Sequence, residues 1–191
     1  MAEVTSDSVF GNVTLLVGFT AHEAGAFFND TIRARGLTVD AMREAVATLV
    51  DASYLYHRQA INEVLMHQYR DWDGVLDDGA VWYSLVDLLG DALFVVPAFE
   101  VGLYHSARGS AKTFLYCFNF TTSSAGRTDS TAKGAESTAH REDAWHGDDL
   151  TYIFAAPITD GIDPFPSVYT KSEKSFAETI LKFWINFIKT G

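Results

Sequence analysis

The chain has 191 residues, with 25 Asp+Glu against 14 Lys+Arg, a formal net charge of −11, and 48% hydrophobic and 14% aromatic residues. The aromatic content excludes a disordered chain, the acidity excludes a generic nucleic-acid binder because it repels phosphate, and the length suits one domain. A single cysteine, Cys117, excludes an internal disulfide and any Cys-x-x-Cys metal site.

In chain order, the first predicted element is a strand over Val13–Phe19, apolar on both faces as a buried parallel strand should be. A polar loop follows, Thr20 to Gly25. Thr38 or Asp40 caps a predicted helix through Val50. Tyr54 to Tyr69 repeats apolar residues at helical spacing through Leu55, Ile61, Val64 and Leu65. Asp71 to Gly79 reads as an acidic turn. Ala80 to Leu89 reads as a buried helix with Trp82, Leu85, Val86 and Leu89 on one face. Pro97 opens a further helix to about His105, since proline suits the first helical position. The run Ala92 to Phe99 is the longest apolar one and is far too short to span a bilayer.

Lys112 to Phe120 is a second buried strand, which makes Cys117 an inert core residue rather than a nucleophile. Thr121 to Ala144 is rich in Ser, Thr, Gly and Ala without periodicity, and a loop of that length is either disordered or functional. Asp148 or Asp149 then caps a short helix. Thr170-Lys171-Ser172-Glu173 fits a capping box. Behind it Phe176, Ile180, Phe183, Trp184, Phe187 and Ile188 form an amphipathic stripe, with Gly191 at the C-cap position. No repeat or domain boundary is visible. Strands separated by helices point to an α/β fold with a parallel sheet. Two strands cannot complete such a sheet, so the chain is expected to be half of a larger domain.

Three Asn-x-Ser/Thr sequons begin at Asn12, Asn29 and Asn119. Five Asn and thirty Ser or Thr put the chance expectation at about one. Because sequons matter only in the secretory pathway, the excess points to an extracellular protein. Met1 to Val9 is polar and acidic rather than a signal peptide, so the expected entry signal lies upstream.

Two residues could carry chemistry. Glu23 follows the carboxyl end of a strand, and His146 lies in a loop after the last one; strand ends are where open α/β sheets bind ligands. An acid preceding a histidine matches two-thirds of the Ser–acid–His order of α/β-hydrolases. The carboxylate would orient the imidazole, which would take the serine's proton. The plain alternative makes Glu23 a solvated loop carboxylate and His146 a helix-start residue. No Gly-x-Ser-x-Gly elbow is present, and Ser6 and Ser8, the serines before Glu23, lack a strand-turn-helix setting. The other histidines form no i,i+4 pair and no His-Glu-x-x-His, so no metal is expected, and no Gly-rich loop cradles a phosphate.

Around these residues the sequence resembles the type-B carboxylesterase and cholinesterase family. Leu16-Val17-Gly18-Phe19-Thr20-Ala21-His22-Glu23 looks like the family's strand ending in the triad acid. His146-Gly147-Asp148-Asp149-Leu150-Thr151-Tyr152-Ile153-Phe154 looks like the segment around its triad histidine, and Phe183 to Gly191 like its late helix; Asp91 to Phe118 is also similar. One departure is Ala24, which stands where the family has glycine directly after the acid. Tyr69-Arg70-Asp71-Trp72 and Tyr169 to Glu173 look more like the neuroligin and gliotactin branch, cell-surface adhesion and junction proteins that tend to lack the serine. The resemblance implies that residues 1–191 are the C-terminal part of one α/β-hydrolase domain, a mostly parallel sheet flanked by helices, with the N-terminal half and the nucleophile outside the chain. It implies Glu23 as acid and His146 as base, no cofactor, and an extracellular or cell-surface location. The implied partner is a cell-surface protein or, in a catalytic relative, a small ester substrate. A homodimer is left open, and any membrane anchor falls outside this chain.

Overall fold

A computed structural model describes residues 10–70, 78–122, 144–159, 162–165 and 168–191. The chain divides into two compact units, Met1–Ala21 with Pro97–Gly191, and His22–Val96. Each unit carries its own apolar cluster, aliphatic in the second and largely aromatic in the first.

The first unit is layered. Strand β1 (Leu15–Thr20) pairs in parallel with β2 (Thr113–Phe118), Leu15 opposite Thr113 and Thr20 opposite Phe118. Both strands are shorter than their apolar runs, for visible reasons. The Val13 carbonyl accepts from His105 Nε2 (2.9 Å), so the ladder starts where Leu15 N–H reaches the Lys112 carbonyl. At the other end Ala21 N–H takes the Phe118 carbonyl, and Phe120 turns away to stack on Phe176 at 4.1 Å.

Alternation then sorts the side chains into two faces. Phe19 meets Phe99 of helix α5 (Val96–Arg108), and Thr113 bonds His105 Nδ1 at 2.7 Å. On the opposite face Phe114 and Tyr116 meet Phe187 and Trp184 of helix α7 (Lys171–Thr190). Gly18 is required there: any Cβ would overlap the Tyr116 ring lying across it. The parallel α/β character is therefore present. Burial on both faces is not, since Phe114 and Leu115 are each 40% exposed and Cys117 is exposed rather than a core residue. Among the described residues the two strands and the helices against them leave a sheet that is apolar on both sides only partly covered.

Helix α7 begins with the expected capping box. Thr170 N–H and Oγ1–H donate to Glu173 Oε2 (2.6 and 2.8 Å), and Glu173 N–H donates to Thr170 Oγ1. Gly191 closes the helix at φ 73°, bonding the Phe187 carbonyl. Four residues of the apolar stripe pack, Phe176, Ile180, Trp184 and Phe187, while Phe183 and Ile188 are exposed.

The second unit is helical. A short 3₁₀ turn (Glu23–Phe27) leads into α1 (Asp30–Arg35), α2 (Val39–Ser53), α3 (Arg58–Gln68) and α4 (Asp78–Gly90). Thr38, not Asp40, caps α2 by accepting from Ala41 N–H; Asp40 instead pairs with Arg43. Helix α2 runs past Val50 to Ser53. The expected helix from Tyr54 starts only at Arg58, because His57 is left-handed (φ 57°) and Leu55 and Tyr56 point into solvent. Helix α4 takes in Asp78 and Gly79, so these two are helical, not part of a turn; the rest of the expected acidic turn, residues 71–77, lies outside the described residues. Met42, Val46, Val50, Val81, Leu85 and Leu88 form this unit's core.

Pro97 does not open a helix after a loop. Helix α4 continues into a π-helical turn (Asp91–Val95) and then α5, with Val96 N–H bonding the Asp91 carbonyl five residues back. Proline lacks an N–H and its ring crowds the carbonyl four residues earlier. The wider turn just before Pro97 accommodates both defects.

Candidate functional site

Glu23 opens the 3₁₀ turn three residues after β1. It is only 5% exposed, with Ala24 and Gly25 buried beside it, so it is not a solvated loop carboxylate. Ala24 does not have a positive φ, and replacing the family's glycine costs no backbone strain there. Gly90 at the end of α4 lies against the backbone of Glu23 and Ala24. One residue earlier, His22 Nδ1 donates to Asp87 of α4 at 3.0 Å. The His22–Asp87 hydrogen bond and the close approach of Gly90 thus help hold the acid's turn. Neither partner, 65 residues or more away, carries a local sequence signal.

His146 sits on the turn preceding helix α6 (Asp148–Ile153) and is exposed. The cap of α6 is neither Asp148 nor Asp149 but Gly147, at φ 83°, where a side chain would be strained. Asp148, the first helical residue, reaches back so that Trp145 N–H donates to its Oδ2 (2.8 Å). Asp149 accepts the Tyr116 hydroxyl of β2 at 2.9 Å. The two acids therefore fix the histidine's turn rather than cap the helix.

Under that turn Tyr152 is fully buried among Phe118, Phe120 and Phe176. Its hydroxyl bonds Thr122 at 2.9 Å. Burial pushes its pKa up to about 12, with the nearby Glu173 charge adding to the rise and the Thr122 bond opposing it. The folded state thus holds this proton longer than the unfolded chain, which releases it near the ordinary value of 10. The stabilisation is complete below about pH 10 and is lost between about pH 10 and 12. Urea midpoints measured across that range should fall, and Tyr152→Phe should flatten part of the fall.

Glu23 lies in the helical unit and His146 in the layered one. The sequon residues Asn12, Asn29 and Asn119 are all exposed. Asn29 Oδ1 also accepts from Ile32 N–H (2.9 Å) to cap α1. That role leaves the amide nitrogen, the atom that carries a glycan, available. No group of His, Cys, Asp and Glu able to hold a metal occurs among the described residues, and no described helix is long and apolar enough to cross a membrane.

The chain is 27% identical over 186 residues to neuroligin-2 of Homo sapiens, covering 95% of this chain and 21% of that protein. It is 25% identical over 192 residues to neuroligin-1 of Caenorhabditis elegans, covering 96% and 23%, and 26% identical over 185 residues to neuroligin-3 of Mus musculus, covering 95% and 21%. It thus spans little more than a fifth of the length of the curated relatives it matches. The model of the family described as "Carboxylesterase family" matches residues 2–191. That match takes in the strand before Glu23, the turn of His146 and the capped C-terminal helix together, and the chain belongs to the carboxylesterase family.

Proposed function

We propose that residues 1–191 form the C-terminal part of an α/β-hydrolase domain in a non-catalytic, cell-surface adhesion or junction protein. The observation that carries this reading is the likeness to neuroligins over 95% of the chain. The adhesion role is the one implied by the branch-like stretches at Tyr69 and Tyr169. A parallel sheet of two strands with exposed apolar side chains supports the incomplete domain, since such a sheet needs further strands and cover. In this reading the three exposed sequon asparagines, Asn12, Asn29 and Asn119, carry glycans, the partner is a cell-surface protein, a second copy can associate, and the net charge of −11 steers basic partners.

A second reading is favoured by one observation: the acid position is buried and anchored, not eroded. Here the parent is a secreted or membrane-associated carboxylic ester hydrolase. Glu23 orients His146, and His146 takes the proton of a serine upstream of this chain. A non-catalytic relative keeps the same acid and base as a structural hydrogen bond.

The test is an activated aryl ester assay on the intact protein produced from its full coding sequence, alongside binding of that protein to cells. The adhesion reading expects background turnover, unchanged by His146→Ala, together with saturable cell binding. Turnover lost in His146→Ala overturns it in favour of the hydrolase.

A further inference from the structure

Of the three sequons, Asn29 alone has an aromatic ring set beside it by extended backbone. Phe27, two residues earlier, closes the 3₁₀ turn and is 53% exposed. Between them Phe28 is extended (φ −105°, ψ 136°), and so is Asn29 (φ −73°, ψ 162°). Successive side chains of extended backbone point to opposite sides. Phe28 accordingly turns inward, onto Trp82 and the core of the helical unit, while Phe27 and Asn29 both face solvent. The other two sequons differ. Phe10 stands at the same spacing before Asn12, but Gly11 between them lies in a turn, and the Phe10 ring meets His105 edge-on at 4.9 Å. Before Asn119 the corresponding residue is Cys117.

Both groups at this site are held in place. The Phe27 ring leans on Phe94 of the π turn, 5.9 Å between centroids, which braces it and leaves more than half of it in solvent. Asn29 Oδ1 accepts from Ile32 N–H at 2.9 Å, so the carboxamide is fixed and Nδ2 points away from that bond. A glycan attaches through Nδ2 and leaves Oδ1 intact, so the cap of α1 and a sugar are compatible. One face of N-acetylglucosamine presents axial C–H groups, and such a face stacks on the electron-rich surface of an aromatic ring. Covering Phe27 in this way removes apolar area from water while the sugar's hydroxyls stay hydrated.

We propose, on the cell-surface reading above, that Asn29 carries an N-linked glycan whose first N-acetylglucosamine lies on the exposed ring of Phe27. The donor is a lipid-linked oligosaccharide diphosphate. Nδ2 bonds the anomeric carbon and gives up one proton; that carbon's bond to the diphosphate oxygen breaks, and the lipid diphosphate leaves with the electron pair.

The experiment expresses the full coding sequence in animal cells, maps glycopeptides by mass spectrometry and treats the folded protein with peptide-N-glycosidase. Glycan is expected on Asn29. Its release should be about fivefold slower from the unaltered protein than from Phe27→Ala, the scale of an aromatic contact, because the enzyme must reach the side-chain amide bond beneath the bound sugar. Phe27→Tyr, which keeps the ring, should keep the slow release. Equal rates from the unaltered protein and a folded Phe27→Ala would overturn the proposal. Asn29 unmodified while Asn12 or Asn119 carries a glycan would overturn it too, and leave the cell-surface reading standing. Retention inside the cell with every sequon unmodified would overturn that reading and the proposal with it. If Phe27→Ala does not fold, the N-acetylglucosamine proton resonances of the unaltered glycoprotein decide: an upfield ring-current shift is expected, and unshifted resonances overturn the proposal.

Discussion

Expressed alone, residues 1–191 should yield soluble aggregates or inclusion bodies rather than a monomer with a sharp, reversible thermal transition. The layered unit rests on two parallel strands, and sheets that small are marginal in water. Among the described residues, β1 and β2 pair only with each other, and each offers an outer edge, a template for association with another chain. Phe114, Leu115, Leu103 and Ile188 add exposed apolar area around that sheet, Leu103 at 67% and Ile188 at 76% exposure. On the reading proposed above, joining the rest of the domain should restore a cooperative melt, read by circular dichroism with light scattering. A monomeric fragment melting sharply and reversibly would show that the chain needs no further strands.

The second large effect falls on Phe176. Its ring stacks on Phe120 at 4.1 Å, meets Tyr152 edge-on at 5.2 Å and lies 6.1 Å from Phe118. Replacing it with alanine removes the centre of this aromatic cluster and opens a cavity against the buried Tyr152 and Ala177. In the intact protein Phe176→Ala should cost about 3 kcal/mol, the usual scale for Phe→Ala in a core. Phe183, on the same stripe but 60% exposed, should cost under about 0.5 kcal/mol, as surface substitutions do. The measurement is the shift in urea midpoint at constant slope. A Phe183→Ala loss as large as that of Phe176→Ala would mean that another segment covers that end of α7.

These contrasts also show which features were legible in the sequence. Elements fixed by neighbouring residues were readable: the Thr170–Glu173 box, Gly191 at the C-cap, and the two apolar strands. Features fixed by distant partners were not. Val13 reads as strand, but His105, 92 residues away, takes its carbonyl. Leu55 and Tyr56 continue an apolar period, yet the left-handed His57 interrupts the helix and leaves both exposed. Pro97 looks like a helix start because the π turn that absorbs it has no sequence signature. Cys117 looks buried because an apolar strand implies two covered faces, whereas the described residues cover them only in part.

The candidate site divides the same way. Glu23 and His146 are proposed from strand ends, chain order and the family resemblance. The His22–Asp87 pair, the Trp145–Asp148 bond and the Tyr116–Asp149 bond that hold their turns carry no such signal. In each case the anchoring carboxylate looks like one more surface acid in an acidic chain.

The central claim is that this chain supplies the acid and base of a carboxylesterase-type site, whether or not a serine joins them. A crystal structure of the intact protein measures it most directly, through the separation of the Glu23 carboxylate and the His146 imidazole. The account predicts a hydrogen bond of about 2.6–3.2 Å, or one bridging water if the site is incomplete. The two side chains on opposite faces of the completed sheet, or too far apart for a bridging water, would contradict it.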